Sequence, residues 1–174
     1  MTVHKELKSY YQRLLSRHEG VPLKSDINPL ELKKILSWIL LIELRGPRDL
    51  VPTVVGSGID NALGSHFTGK NMYDFYPEDL AQAHEVFYDK ILSQPCGGFL
   101  VRNIAQKSGN LGTLEISVYP LKGPDGIINR LIGSLSLKGT ALAKADLSNK
   151  LAFMNVSIVE TKFIDIGFGV PSQE

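Results

Sequence analysis

Residues 38–69, WILLIELRGPRDLVPTVVGSGIDNALGSHFTG, constrain the fold more than any other stretch of the chain. From Trp38 to Leu44 the side chains are bulky and apolar, and Trp38, Leu40, Ile42 and Leu44 fall on one side of a period-two strand. Ile39, Leu41 and Glu43 fall on the other side, which also begins apolar, so both faces of this strand need cover. Gly46-Pro47-Arg48-Asp49 is a polar turn sequence, and Leu50 to Val55 reads as the returning strand. Pro52 has no N–H to give to a ladder, which places that strand at a sheet edge or a bulge.

Gly56 and Gly58 follow the hairpin, and Ile59, Leu63 and Phe67 recur at helical spacing before Gly69 closes the segment. Strand, glycines and helix start resemble a dinucleotide fingerprint, but Asn61 occupies the third glycine position of G-x-G-x-x-G and the next glycine is Gly64. No parallel strand returns in a βαβ unit either. The glycines are read as relief of backbone strain at a strand-to-helix turn.

Three strands are expected after Gly97: Gly98 to Ala105, Gly112 to Leu121 and Ile127 to Leu137. Lys107-Ser108-Gly109-Asn110 and Gly123-Pro124-Asp125-Gly126 between them are hairpin turns. Leu114, Ile116 and Val118 alternate with Thr113, Glu115 and Ser117, the pattern of a sheet with one buried and one wetter face. Joined to the first hairpin, these strands make an α+β domain with a five-stranded antiparallel sheet and helices across one face.

The helices are marked by periodicity and caps. Leu7, Tyr10, Tyr11, Leu14 and Leu15 give Lys5–His18 one apolar stripe. Glu19 to Ser25 is a polar linker. Asn28 at an N-cap, Pro29 at the first helical position and Glu31 in the first turn predict a short helix from Pro29 to Leu36. Pro77, Glu78 and Asp79 open a longer helix to about Leu92, with Leu80, Ala83, Phe87 and Ile91 as its buried stripe. Beyond Gly139, Ala141–Leu151 reads as helical, Phe153–Ile166 alternates loosely as a strand, and Gly167–Glu174 is expected to fray.

Charge and cysteine count exclude several functions. Nineteen basic and eighteen acidic residues leave a formal charge of +1, so no global field attracts nucleic acid or an anionic membrane. No apolar run is long enough to insert in a bilayer, and the polar N-terminus is unlike a signal peptide, so a cytoplasmic protein is expected. Cys96 is the single cysteine, which excludes an intrachain disulfide, a thiolate cluster and a Cys-x-x-Cys pair. It has no adjacent histidine to activate it as a nucleophile. His66 and His84 lack the spacing of a metal site, so both are read as solvated or hydrogen-bonded.

The order SDINPLELKKILSWILLIEL, then VVGSGIDNALGSHFTGKNMYDFY, a helix, and three strands ending at LIGSLSL resembles the alphaproteobacterial stand-alone PAS-type domains. The resemblance covers about Val21 to Gly139, leaving an N-terminal amphipathic helix over 1–20 and a C-terminal extension over 140–174. It departs in the second strand, where Pro52-Thr53-Val54-Val55 replaces a polar or basic residue followed by apolar ones. It implies strand order 2-1-5-4-3 and a non-enzymatic sensory or regulatory role. Since no kinase, cyclase or DNA-binding helix pair fits the remaining residues, signalling through an unidentified protein partner is expected.

A small-molecule ligand belongs in the pocket of such a domain, with Tyr73, Phe75, His84 and Tyr88 as its candidate walls; core filling is the commoner use of such aromatics. No cofactor is expected. Flavin photosensors of this fold carry a reactive cysteine on a helix ahead of the third strand, which Cys96 does not match, and for haem only His84 would be placed as an axial ligand. A homodimer is implied, with Leu7, Tyr11, Leu14, Ile39 and Leu41 as the candidate interface; supplied within one chain, the same stripe would make a monomer. The alternative function is a small enzyme using Asp60, His66, Asp74 and His84 as acid–base groups in a polar pocket.

Overall fold

The computed structural model describes residues 2–105, 111–138 and 156–172. Its helices are α1 (Val3–Leu15), α2 (Ser57–Leu63) and α3 (Glu78–Ser93), and its strands are β1 (Ile39–Gly46), β2 (Asp49–Val55), β3 (Gly97–Ala105), β4 (Leu111–Lys122), β5 (Ile128–Lys138) and β6 (Ile158–Ile164). The strands form one sheet in the order β2-β1-β5-β4-β3-β6, with antiparallel neighbours throughout.

Strand order 2-1-5-4-3 is present as expected, but the sheet has six strands, not five. The sixth, β6, lies beside β3 within the loosely alternating stretch. Its period is hard to read because the register slips between Val101 and Arg102, where a bulge breaks the two-residue repeat. The expected Lys107–Asn110 turn and Ala141–Leu151 helix lie outside the described residues.

Pro52 sits on the edge strand and at a bulge, since the register steps from Leu41↔Val54 to Ile42↔Pro52. There its missing N–H breaks no ladder bond. The Thr53 hydroxyl donates to the Leu41 carbonyl at 3.3 Å and restores one link across the bulge.

Three helical expectations need correcting. Pro29–Leu36 is two 3-10 turns, Pro29–Leu32 and Leu36–Trp38, although Asn28 caps the first as expected, its Oδ1 accepting from the Leu30 N–H at 3.0 Å. Trp38 therefore precedes the sheet, and its N–H donates to the Ile35 carbonyl at 2.8 Å to swing the chain into β1. α2 ends at Gly64, whose φ of 66° reverses the backbone, so Phe67 packs as a loop residue. On α3 it is His84, not the exposed Ala83, that joins Leu80, Phe87 and Ile91 on the buried face.

Two cores sandwich the sheet. Leu40, Ile42, Leu114, Ile116 and Val118 pack with α2 and α3 on one face, while Ile39, Tyr119, Leu121 and Ile132 pack with α1 on the other. Both faces of β1 are covered, as its pattern requires. The cover on the second face comes from the same chain: Leu7, Tyr11, Leu14 and Ile39 are 0%, 0%, 2% and 3% exposed, and Leu41 packs against them. In the single chain these candidate interface residues are thus already covered, and each leucine sealed there stabilises by roughly 1.5–3 kcal/mol.

Candidate ligand cavity

The segment from Gly56 to Tyr76 is fastened over the α3 face of the sheet by backbone contacts. A Cβ on Gly56 would stand 2.4 Å from the Ser37 carbonyl oxygen, so only glycine lets α2 begin this close to the turn before β1. The Asn71 amide donates to the Arg48 carbonyl at 2.9 Å, and its oxygen accepts from the Leu50 and Tyr73 N–H groups at 3.1 Å each. The Gly69 N–H donates to the Pro52 carbonyl at 2.8 Å.

Beneath this strap lies a cavity of about 60 Å³. Leu40, Leu50, Ile59 and Phe67 are among its apolar walls, and Tyr76, Tyr88 and Arg102 bring polar atoms to it. Arg102 of β3 is 3% exposed, and its guanidinium lies 5.4 Å over the centre of the Tyr76 ring. That ring packs on the His84 imidazole, with centroids 4.6 Å apart.

His84 is wholly buried. Its Nδ1, carrying the proton, donates to the Leu80 carbonyl at 2.9 Å, and Nε2 is left as an acceptor without a partner among the described residues. Burial, followed by the nearby Arg102 charge, pushes its pKa down to about 3 against the bond to Leu80. The imidazole is therefore neutral at physiological pH. Burial likewise raises the Tyr88 hydroxyl far above its usual range, so it keeps its proton. The lining is thus apolar except for the side chains of Tyr76, Tyr88 and Arg102.

A family model described as PAS domain matches residues 1–136. The chain belongs to the PAS domain family. The cavity under α2 and α3 is then the interior of a PAS domain, and α1 falls within the matched region. Among solved structures, the chain is similar to a light-oxygen-voltage domain studied with a flavin analogue (18% identity, 73% of this chain and 97% of that one, TM-score 0.48). It is also similar to the Rhodobacter sphaeroides LOV protein (15%, 66% and 70%, TM-score 0.46). A third likeness is to a sensory box sensor histidine kinase from Vibrio cholerae (20%, 65% and 93%, TM-score 0.41). No curated protein matches the sequence.

The PAS cavity as it stands does not fit a flavin or a haem. Its 60 Å³ falls well below the ~150 Å³ that admits a single benzene ring. Cys96 is buried before β3, outside the cavity lining, and burial pushes its thiol up to about 11, so it is neither placed nor ionised for adduct chemistry.

Of the four residues expected to wall the pocket, Tyr88 lines it and His84 stands behind Tyr76. Tyr73 and Phe75 are one ring removed, edge-on to Tyr76 at 5.9 Å and to Phe67 at 5.8 Å. The acid–base groups of the enzyme alternative are not assembled there. Asp60 and His66 bond to each other at 2.8 Å with the imidazole 87% exposed, and neither they nor Asp74 line the cavity. Among the described residues no three His, Cys, Asp or Glu side chains are grouped to hold a metal. Arg102 was missed, yet its signal was present: Leu100, Arg102 and Ile104 share one side of a strand, and a charge flanked by buried apolar residues marks an inward cation.

Proposed function

We propose that the chain is a non-enzymatic sensory PAS domain that takes a small molecule in the α2–α3 cavity, which must widen from its 60 Å³ to admit one, and signals by binding a protein partner, working as a cytoplasmic homodimer of the alphaproteobacterial stand-alone type. The observation that carries the reading is the buried Arg102 guanidinium at the wall of an otherwise apolar chamber, flanked by the Tyr76 and Tyr88 rings. A few convergent polar groups in an apolar cavity recognise one end of a ligand while the walls desolvate the rest. Occupancy would be felt by α2 and α3, which roof the chamber, so a ligand that binds one arrangement of these helices better than another shifts a surface that a partner can read.

Native mass spectrometry on protein purified without denaturants tests the ligand. A retained mass increment that is lost on denaturation, and reduced in Arg102→Met, is the expected result. A bare chain mass together with no thermal shift from a panel of small organic acids and amides would overturn it. The protein should be colourless, and a visible absorption band would show that the cavity opens to a chromophore after all.

A further inference from the structure

The outer edge of the sheet is β6, which pairs with β3 on one side and with no described strand on the other. In an antiparallel ladder alternate residues turn their N–H and C=O groups away from the existing partner, so an edge strand offers a ready template for another strand. The sequence of β6, Ile158-Val159-Glu160-Thr161-Lys162-Phe163-Ile164, is complementary to itself about Thr161. Glu160 and Lys162 lie opposite Val101 and Phe99 of β3, hence on one face, and they form an ion pair along the strand. Phe99 meets His4 of α1, so this is the α1 face. Phe163 lies on the opposite face and stacks on Phe87 of α3. At the start of the strand Val159 is 61% exposed, a large apolar side chain left uncovered by the described residues.

We propose that β6 pairs antiparallel with β6 of a second copy about a two-fold axis at Thr161, joining two sheets into one across the dimer. This rests on the homodimer reading above and locates it away from α1, whose apolar stripe is occupied within the chain. In this register Glu160 faces the partner's Lys162, Lys162 faces the partner's Glu160, and Val159 meets the partner's Phe163. A shift that centres the axis on Glu160 or on Lys162 sets like charges directly opposite, so the charge pattern selects one alignment. An isologous contact of this kind closes on itself and leaves no further edge there for growth. A strand carrying lysines alone would be guarded against pairing; alternating Glu and Lys is guarded only against the wrong register.

Sedimentation velocity on the full chain across a concentration series tests this with E160K, K162E and the double exchange E160K/K162E. Both positions are solvent-accessible, at 42% and 63% of the side chain, so folding should survive and circular dichroism verifies it. The wild type is expected to dimerise, and each single variant should weaken the dimer by about tenfold or more, because both symmetric pairs become repulsive. The double exchange should restore it, since every lysine at the contact would again face a glutamate of the other copy. A monomeric wild type overturns both this interface and the homodimer. A dimer indifferent to the single variants, or a double exchange that stays monomeric, overturns the β6 interface alone.

Discussion

The Tyr11 hydroxyl donates to the Pro120 carbonyl across 2.6 Å, with its ring stacked on Tyr119 at a centroid distance of 4.7 Å. This pair fastens α1 to β4 in a place with no water to compete. Burial holds the Tyr11 hydroxyl far above its usual pKa, so it remains a donor over the whole working range.

Tyr11→Phe should therefore lower stability by about 1–2 kcal/mol in urea denaturation, the usual cost of leaving a buried carbonyl without its donor. Leu14→Glu should cost more, since it sets a carboxylate among Leu7, Ile39 and Ile132. If α1 is the intrachain cover described here, both changes act on unfolding and leave the association state of the remaining folded protein unchanged. A Leu14→Glu protein that is as stable as wild type would mean that α1 does not dock on this sheet in solution.

His84 makes the fold acid-sensitive. Its folded pKa is depressed to about 3 from an ordinary value near 6.5, so below about pH 6.5 the unfolded chain binds a proton that the native chain refuses. Stability must then fall as pH falls, with a slope approaching roughly 1.4 kcal/mol per pH unit for this one group. His4, lowered chiefly by burial against β5, acts with the same sign. Glu31, Glu78 and Glu115 have depressed pKa values and lose their contributions only at lower pH, near the carboxylate range. Urea midpoints between pH 7 and 5 should decline for wild type and decline less steeply for His84→Phe. Equal slopes would show that the imidazole is protonated in the native state.

The hairpin at Trp38–Val55 and the β4–β5 hairpin were legible because their information is local: turn residues, period two, and a proline that can only sit at an edge or bulge. β6 was only half legible, as its bulge beside Arg102 spoils the alternation and its exposed side chains carry no burial signal. The cavity wall was legible only in part: Tyr88 lines it, but Tyr73 and Phe75 do not. Aromatic density pointed to Tyr73 and Phe75, whereas the polar wall is set by Arg102, which reaches the chamber through sheet order, a long-range property. His84 is hydrogen-bonded, as one of its two readings had it, but its place on the buried face of α3 was not legible, and only the fold shows that Tyr76 and Tyr88 flank it.

Arg48 holds the β1–β2 turn to α3, donating to both Glu78 oxygens at 2.8 and 2.9 Å and to Glu85 at 2.8 Å. It does so with a φ of 54°, a conformation unfavourable for any residue with a Cβ. Ion pairing and backbone strain can be separated by substitution. Arg48→Ala loses the pairs and keeps the strain, while Arg48→Gly loses the pairs and relieves it, so the glycine variant should be the more stable of the two by about 1 kcal/mol. Both should show less salt dependence than wild type in thermal denaturation. Equal stability for the two variants would mean that the turn relaxes to a negative φ once the pairs are gone.

Gly98 of β3 packs directly under Phe87 and Ile91 of α3. A Cβ there would lie 2.3 Å from Ile91 Cδ1 and 2.6 Å from Phe87 Cζ, and both of those side chains are buried. Neither can swing into water, so Gly98→Ala must lift the C-terminal half of α3 or force its side chains out of their rotamers, at about 1–3 kcal/mol. Phe87 and Ile91 share that helix face with His84 and Tyr88, so the displacement reaches Tyr88 in the cavity wall. The expected signature is a lower thermal midpoint together with weaker retention of whatever molecule the wild type carries in native mass spectrometry. Trimming the obstacle should reverse both effects: in Gly98→Ala/Ile91→Val the methyl group nearest the new Cβ is gone, and partial recovery of midpoint and retention should follow. If the double variant is no better than the loss expected from the two single changes added together, the contact between Gly98 and Ile91 does not set the height of α3 over the sheet.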